Sequence, residues 1–264
     1  MINEMMNMRG RVALITGSTG KIGQAFARTL AELGCDLILL DLDGEKLSQQ
    51  AELLSEPFDV TVSHIACDLE NRTQRAACLD RLRADHKKLN VLINNAAFTG
   101  GSDIDGWNVP AAQQSSESFG RSFEVNVTAA FDLCQTLRPL MQKTGNASII
   151  NIASIYGLHA PDWSIYRGTD INNISGYGAS KGALVQLTRW LAATYAPEIR
   201  TNVIAPGGVF RDQDPKFVEA YEARTPLGRM AEEKDLQGAL AFLASDLSAY
   251  VNGLILSVDG GWGL

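Results

Sequence analysis

The chain has 264 residues, a net charge of −7 and an isoelectric point near 5.0. Hydrophobic residues make up 45% of it, which suits one large domain with a well-buried core. Because no long basic run accompanies the acidic balance, nucleic acid and anionic membrane are disfavoured as partners, and a small molecule is favoured.

The remaining composition points to the cytoplasm. No apolar run approaches membrane-spanning length, and residues 1–8 lack the regions of a secretion signal. The four cysteines show neither CxxC pairing nor metal-ligand spacing with the three histidines. We therefore expect free thiols in a reducing compartment, no metal site, and a flexible N-terminal tail over residues 1–8.

A glycine-rich turn follows the first apolar run, residues 11–16, and residues 24–33 then show helical periodicity. This order predicts strand, turn and helix. Gly17 and Gly20 would let the backbone approach a pyrophosphate at the helix N-terminus, and Gly23 would let the helix pack closely on the strand.

Lys21 lies inside this turn and raises a Walker-type phosphate loop as a rival interpretation. That loop needs a glycine where Ile15 stands and a serine or threonine where Ile22 stands. Neither requirement is met, so we reject a nucleoside triphosphatase.

A second predicted strand, residues 36–40, ends at Asp41, 24 residues beyond Gly17. A carboxylate there can accept hydrogen bonds from both hydroxyls of an adenosine ribose and would repel a 2′-phosphate, which favours NAD over NADP. Asp41 could instead cap the next helix, a role that Asp43 could fill equally well. Lys21 near the ribose leaves NADP as the second choice.

Apolar runs predict further strands, alternating with helix-patterned segments, at residues 59–67, 90–94, 147–152 and 254–258. The alternation predicts an α/β fold, a doubly wound parallel sheet (Rossmann fold) in a single domain over residues 9–264. The carboxyl ends of its strands would bring together the glycine turn, Asp41, Asp68 and Asn94. The polar stretch 98–118 is predicted to be a loop.

Tyr177 and Lys181 stand four residues apart in a helix-patterned segment, so both side chains lie on one helical face. Lowering a tyrosine pKa from ~10 to ~7 requires about 4 kcal/mol. A cation ~4 Å away at an effective dielectric of ~20 supplies roughly that much. Lys181 is therefore expected to make Tyr177 usable as an acid or base at neutral pH, although such pairs also occur on helix surfaces.

Asn126 lies in an apolar helical region, residues 117–143. A buried amide in such a helix is unfavourable unless it is hydrogen-bonded, so Asn126 needs a specific partner. The strand at residues 147–152 delivers Ser154 to the same carboxyl edge of the sheet.

Taken together, these motifs resemble the short-chain dehydrogenase/reductase family over nearly the whole chain. The residues that carry the resemblance are the turn 16–23, Asp41, Asp68, residues 94–97, Asn126, Ser154, Tyr177, Lys181 and residues 206–207. The resemblance implies that Tyr177 is the general acid/base, that Lys181 holds the nicotinamide ribose and lowers the tyrosine pKa, and that Ser154 hydrogen-bonds the reacting oxygen. Asn126 would anchor a water that relays protons to Lys181. The cofactor would carry the hydride.

The resemblance also implies the contacts with the dinucleotide. Asp68 and Leu69 would contact adenine, Asn94 and Ala96 would line the adenosine side, and the segment after Pro206 would pass beside the nicotinamide. The implied cofactor-binding residues are Gly17, Ser18, Thr19, Gly20, Lys21, Ile22, Gly23, Asp41, Leu42, Asp68, Leu69, Asn94, Ala96, Tyr177, Lys181, Pro206, Gly207 and Val209.

The first departure from the family pattern is Lys21, which stands where the usual turn has glycine. Gly17, Gly20 and Gly23 match the spacing of the extended, sugar-nucleotide-modifying branch, which normally adds a C-terminal substrate domain. Here the chain ends soon after the last predicted strand, so the single-domain branch is favoured.

The second departure is a long segment between Ser154 and Tyr177. Ser164 lies nearer the customary spacing and is a rival for the serine role, but Ser154 is preferred because it directly follows a strand and precedes Gly157. The insertion, residues 158–176, is expected to shape the substrate pocket, with a solvated loop as the alternative. The candidate substrate contacts are Ser154, His159, Trp163, Tyr166 and Arg167.

The third departure is Phe210, which stands where the family often has threonine, so one hydrogen bond to the nicotinamide carboxamide is expected to be missing. Residues 209–230 are predicted to form a lid over the substrate.

Segments 154–157, 160–166, 206–210 and 259–262 resemble the oxidoreductase subgroup of flagellin-modification and nonulosonic-acid pathways. That resemblance implies oxidation of a hydroxyl of a sugar or sugar phosphate. Residues 259–262 also resemble family tails that cross a tetramer interface, which implies a homotetramer or homodimer. We therefore predict an NAD(P)-dependent oxidoreductase that interconverts a secondary alcohol and a ketone. The alternatives are an epimerase or dehydratase with tightly bound NAD, suggested by the glycine spacing, and a non-catalytic dinucleotide-binding protein.

Overall fold

A parallel sheet forms the centre of the computed structural model, which describes residues 1–98 and 104–264. Residues 99–103, part of the predicted loop 98–118, lie outside the described residues. In the described part of the chain the sheet has seven strands in the order β3-β2-β1-β4-β5-β6-β7, all paired in parallel. The strands are β1 Val12–Thr16, β2 Asp36–Asp41, β3 Val62–Ala66, β4 Val91–Asn94, β5 Ala147–Ile152, β6 Ile199–Pro206 and β7 Ile255–Val258.

Helices cover both faces of this sheet. Successive strand residues point to opposite faces, so Ile15 packs with α2, α3 and α9, whereas Leu14 packs with α4, α6 and α7. The helices are α1 Ile2–Met6, α2 Lys21–Glu32, α3 Gly44–Phe58, α4 Arg72–Asp85, α5 Ser116–Phe123, α6 Ala129–Gln142, α7 Ser175–Tyr195, α8 Pro215–Arg224 and α9 Lys234–Ala244. The predicted doubly wound fold in a single domain is confirmed.

The strand order places the functional edge of the sheet. The chain runs from β1 outward through β2 to β3 and then returns to β4 on the other side of β1. A crevice opens outside the carboxyl ends of the strands where the direction of winding reverses. The turn after β1 and the residues after β4 therefore meet at the position where α/β proteins bind ligands.

Three local features differ from the predictions. The predicted tail contains α1, and Met8 is fully buried with its N–H donated to the carbonyl of Leu33, so Met8 belongs to the core. The third strand begins at Val62, because Asp59 ends α3 in a left-handed conformation with φ +53°. The predicted long helix 117–143 is interrupted by a π-helical turn, Glu124–Thr128.

Flexibility of residues 1–7 stays a prediction. In the described ranges, no helix has the length and apolar character needed to cross a membrane.

Candidate active site

The turn after β1 has no space for a side chain at Gly17 and Gly23. Gly17 has φ +63°, and a Cβ on it would lie 2.8 Å from the Cα of Ala96. A Cβ on Gly23 would lie 2.1 Å from the carbonyl oxygen of Gly17, so α2 packs directly on the turn. These contacts leave backbone groups exposed at the N-terminus of α2, which is the arrangement that binds a pyrophosphate.

Asp41 lies at the edge of this turn, as predicted. Its Oδ2 accepts hydrogen bonds from the backbone N–H and the hydroxyl of Thr19 at 2.8 and 2.7 Å, and its Oδ1 accepts from the N–H of Leu42 at 2.7 Å. Asp43 is the residue that caps α3, through the N–H groups of Glu45 and Lys46. The capping alternative for Asp41 is therefore wrong, and Asp41 lines the cleft while its carboxylate is bonded to Thr19 and Leu42.

A cleft of 1030 Å³ extends from the glycine turn to the start of α7. It brings Ser154, Tyr177 and Lys181 into one cavity with the predicted nucleotide site. The predicted cofactor residues that line the cleft are Gly17, Thr19, Gly20, Lys21, Ile22, Gly23, Asp41, Ala96, Tyr177, Lys181, Pro206, Gly207 and Val209.

Two predicted cofactor residues before β3 do not line the cleft. The hydroxyl of Ser18 is fully buried, and among the described residues it has no hydrogen-bond partner. The side chain of Leu42 is 67% exposed. Both residues are sequence neighbours of cleft-lining residues, but their own side chains point away from the cleft.

The predicted adenine-side residues also differ. Leu69 packs in the core, and Asp68 accepts a hydrogen bond from the N–H of Glu70. The side chain of Asn94 is buried and donates to the Oδ1 of Asn151 at 2.7 Å. Each of these three side chains is engaged by its own neighbours and is absent from the cleft lining.

Asn95 is the residue that the sequence analysis missed at this edge. Its Nδ2 donates to the carbonyls of Thr16 and Gly17 at 2.9 and 3.0 Å, and it lines the cleft. Asn94 is the last residue of β4, whereas Asn95 follows the strand at its carboxyl end, where the crevice opens. The exact end of a strand is not fixed by local sequence, so no spacing selected Asn95 over Asn94.

Asn126 has the specific partners that its burial requires. Its Oδ1 accepts from the N–H of Phe98 at 2.7 Å, and its Nδ2 donates to the hydroxyl of Ser180 at 2.9 Å. The π-helical turn that contains Asn126 thereby attaches to α7 one residue before Lys181.

Ser154 and Lys181 are held by β5 and the turn that follows it. Ser154 is 7% exposed, and its Oγ accepts from the N–H of Tyr156 at 3.2 Å. Lys181 is 2% exposed, and its Nζ donates to the carbonyl of Ile152 at 2.6 Å. A Cβ on Gly157 would lie 2.7 Å from the backbone of Lys181, so this turn packs directly on α7.

The electrostatics of the pair differ from the prediction. Burial raises the pKa of Tyr177, and its hydrogen bond with Ser154 lowers it. Burial lowers the pKa of Lys181 to about 8. The Nζ lies 5.7 Å from the centroid of the Tyr177 ring and is bonded to Ile152. The pKa of the tyrosine therefore shifts opposite to the predicted direction, because the ammonium is directed at a carbonyl and burial dominates.

The structure separates the two serine candidates. Ser164 is exposed, and both its N–H and its hydroxyl are bonded to the carboxylate of Asp162. It does not line the cleft, whereas Ser154 does. Ser154 is the serine that lies with Tyr177.

The insertion contributes fewer predicted contacts than expected. Tyr166 is buried and lines the cleft, but His159, Trp163 and Arg167 are exposed and do not. Residues 163–166 form a single 3-10 turn that buries Ile165 and Tyr166 and leaves Trp163 exposed. The insertion also lines the cleft with Ile171, Asn172, Asn173 and Ile174.

The far end of the cleft is lined by side chains outside the predicted substrate contacts, although those between residues 209 and 230 belong to the predicted lid. They come from separate segments, so no local spacing identifies them. These residues are Trp107, Tyr156, Arg211, Gln213, Phe217, Tyr221 and Met230.

Comparison with known proteins places this geometry in a family. A family model described as enoyl-(acyl carrier protein) reductase matches residues 17–263. The chain belongs to the short-chain dehydrogenase/reductase family. Membership makes it an NAD(P)-dependent oxidoreductase that acts on CH–OH groups, and the closely packed glycine turn at the N-terminus of α2 fits a dinucleotide.

Individual short-chain dehydrogenases/reductases are similar along the whole chain. A tropinone reductase homologue of Arabidopsis thaliana is 35% identical over 97% of this chain and 93% of its own. The structure of a gluconate 5-dehydrogenase from Burkholderia cenocepacia with NADP and tartrate is 30% identical, with a TM-score of 0.87 over 99% of this chain and 98% of that one. A short chain dehydrogenase from Leptospira borgpetersenii with bound NAD+ is 30% identical, with a TM-score of 0.82 over 100% and 96%.

Proposed function

We propose that the protein interconverts a secondary alcohol and a ketone on a sugar or sugar phosphate, with NAD as the preferred coenzyme. The observation that carries the proposal is the single cleft that joins Ser154, Tyr177 and Lys181 to the glycine turn and Asp41. The proton-handling residues and the nucleotide site therefore face one bound substrate.

Tyr177 holds the exchangeable proton at its phenol oxygen. Because burial raises its pKa, the phenol is protonated at neutral pH and can donate to a carbonyl oxygen as that oxygen becomes an alkoxide. Ser154 donates a second hydrogen bond to the same oxygen. Bound NAD(P) supplies or accepts the hydride.

Lys181 remains mostly protonated at pH 7, although burial lowers its pKa to about 8. Its bond to Ile152 holds the Nζ at the carboxyl end of β5, where it would bind the nicotinamide ribose. Asn126 fixes the start of α7 through Ser180, and we propose that it also anchors the water that relays protons to Lys181.

Two features support a sugar. The substrate end combines aromatic side chains with the neutral amides of Asn172, Asn173 and Gln213, which can bind C–H faces and hydroxyls respectively. Arg211 also lines this end and is the residue that would meet a phosphate or carboxylate, although its guanidinium is paired with Glu233 at 2.8 Å. The resemblance to the flagellin-modification and nonulosonic-acid subgroup and the likeness to a gluconate 5-dehydrogenase agree with this substrate class.

The preference for NAD rests on Asp41, which presents a carboxylate where the adenosine ribose would lie. Similar proteins of known structure bind NADP in one case and NAD+ in another, so similarity does not select the coenzyme. The charges beside the ribose of this chain are expected to select it. Lys21 is exposed at the same edge and is the group that would tolerate a 2′-phosphate. We also propose a cytoplasmic homotetramer or homodimer, with residues 209–230 as a lid.

The first experiment is a paired titration of the purified protein with NADH and NADPH, followed by nicotinamide fluorescence. Tighter binding of NADH supports the role of Asp41. Tighter binding of NADPH would mean that the attraction of Lys21 for the 2′-phosphate outweighs the repulsion by Asp41. Failure to bind either coenzyme contradicts the proposal. Oxidation of sugars and sugar phosphates is then measured as NADH formation.

The same assays separate the other interpretations. An epimerase or dehydratase with tightly bound NAD would turn over sugar without added coenzyme and release no NADH. A non-catalytic protein would bind the dinucleotide, but no substrate would be turned over.

A further inference from the structure

Two tyrosine hydroxyls meet at the substrate end of the cleft. Tyr156 and Tyr166 are hydrogen-bonded to each other through their phenol oxygens, and both line the cleft. The Nδ2 of Asn173 donates to the hydroxyl oxygen of Tyr166 at 3.0 Å. We call these three residues the tyrosine pair and its amide.

A count of hydrogens shows that this group is incomplete. Two phenols carry two hydroxyl hydrogens, and the bond between them uses one. With its Nδ2 placed toward Tyr166, the amide of Asn173 contributes another donor and accepts neither hydrogen. Across residues 1–98 and 104–264, no hydrogen bond accepts the second hydroxyl hydrogen. The tyrosine pair therefore has one donor that faces the cleft.

Both phenols remain neutral donors over the working range of pH. Burial raises the pKa of Tyr156 and, to a smaller extent, that of Tyr166. Once a bound substrate excludes water from the cleft, a donor without an acceptor is costly, so a substrate oxygen at this position is favoured.

The tyrosine pair is held rigidly beside the reacting groups. The N–H of Tyr156 donates to the Oγ of Ser154, so the backbone of Tyr156 is fixed to the serine, and both residues line the cleft. The ring of Tyr166 packs on Phe217 with 5.4 Å between centroids. When the reacting oxygen of a substrate lies at Ser154, another atom of the same substrate, close to the reacting carbon, would lie at the spare hydroxyl hydrogen of the tyrosine pair.

We propose that the tyrosine pair determines substrate specificity by donating its spare hydrogen to a second oxygen on a carbon close to the reacting one. The substrate class is then a 1,2- or 1,3-diol, or the matching hydroxyketone, in preference to a simple alcohol or ketone. This inference rests on the proposed oxidoreductase function and adds the recognition of a second oxygen.

The experiment compares simple probes that differ by one hydroxyl. Oxidation of cyclohexanol and of the cis and trans 1,2- and 1,3-cyclohexanediols is followed as NADH and NADPH formation, and kcat/KM is determined for each. We expect the best diol to exceed cyclohexanol by about tenfold or more in the native enzyme, as for one hydrogen bond to a buried donor.

Three variants locate the origin of that ratio. Tyr156→Phe with Tyr166→Phe removes both hydroxyls, and the diol-to-cyclohexanol ratio should fall to about one. Asn173→Asp keeps both hydroxyls but offers the spare hydrogen a carboxylate acceptor, so the ratio should fall there as well. Tyr195→Phe is the matched control, since it removes a buried hydroxyl bonded to Gln135 outside the cleft, and its ratio should equal that of the native enzyme.

A native enzyme that oxidises cyclohexanol as well as every diol would overturn the inference while leaving the proposed function intact. A diol preference that persists in the double variant would do the same. If neither probe class is oxidised although NADH binds, the inference fails together with the proposed oxidoreductase activity on free alcohols.

Discussion

The two halves of the cleft are built in different ways. The nucleotide half consists mainly of backbone and short side chains that follow β1, β2 and β4, each of which ends at the same edge of the sheet. The substrate half consists of large side chains from segments far apart in sequence. Tyr156, Tyr166, Phe217, Tyr221 and Trp262, which we call the aromatic cluster, join the turn after β5, the insertion, α8 and the C-terminal segment.

Successive members of the aromatic cluster pack together. Tyr166 packs on Phe217, Phe217 on Tyr221, and Tyr221 stacks on Trp262 with 6.0 Å between centroids. Arg224 covers the outer face of Trp262 at 4.4 Å. The comparison teaches that the coenzyme half depends on local sequence patterns, whereas the substrate half depends on how separate segments pack.

The sharpest test of the junction between the halves is Tyr177→Phe. Removing the phenol oxygen removes the proton donor, so kcat should fall by about 1000-fold or more, while the binding of NADH stays within twofold. Stopped-flow or steady-state turnover and the fluorescence titration measure the two quantities. Near-normal turnover in this variant would contradict the assigned role.

The packing of the nucleotide half can be disrupted by replacing one glycine. Gly23→Ala would place a Cβ 2.1 Å from the carbonyl of Gly17, so we expect a loss of about 3 kcal/mol in unfolding free energy together with weaker NADH binding. Gly238→Ala in α9 is the matched control, since nothing lies within 4 Å of its Cβ. It should be stabilised by about 0.5–1 kcal/mol. Equal behaviour of the two variants in urea unfolding would refute the packing argument.

A pair of serine variants tests which residue belongs to the reaction. Ser154→Ala removes a donor to the reacting oxygen and should lower kcat by about 100-fold. Ser164→Ala removes a hydroxyl that bonds Asp162 on the surface and should leave kcat within twofold. The reverse ranking in steady-state kinetics would assign the serine role to Ser164.

Lys181 lies between the two halves of the cleft, and its buried amine should make the unfolding free energy depend on pH. Its pKa is about 8 in the folded protein and ~10.4 when unfolded, so between these values the unfolded chain binds more protons and stability rises with pH. The unfolding free energy of the native protein should gain about 2 kcal/mol relative to Lys181→Met between pH 8 and pH 10. Urea unfolding measures it, with exposed Lys143→Met as control. Parallel curves for the native protein and Lys181→Met would show that burial does not depress this pKa.

The smallest expected effect concerns coenzyme choice. Asp41→Ala removes the ribose acceptor and the negative charge, so the preference for NADH over NADPH should fall by about tenfold. Asp43→Ala removes the neighbouring carboxylate that caps α3 and should cost about 1 kcal/mol of stability without changing the coenzyme ratio. An unchanged ratio of NADH to NADPH affinity in the Asp41 variant would show that other groups determine the coenzyme preference.

Most of the fold was predictable because short strands have strong apolar patterns. β5 has the predicted bounds, Ala147–Ile152, and β4 begins one residue later than predicted. The sequence analysis named no strand over β6, although it placed Pro206 and Gly207 beside the nicotinamide. The π-helical turn was not predictable, because it arises where Asn126 bonds Phe98 and Ser180 across separate elements.

The residue types and their order by themselves determined the doubly wound sheet, the glycine turn, the place of Asp41 after β2 and the position of Tyr177 and Lys181 on one helical face. These features follow from local rules: strand and helix periods, the need for glycine at a crowded turn, and the position of strand ends. Only the tertiary structure decided which of two adjacent asparagines faces the cleft, where the ammonium of Lys181 points, and which insertion residues reach the substrate end. Those outcomes depend on burial and on contacts between distant segments, which no local spacing encodes.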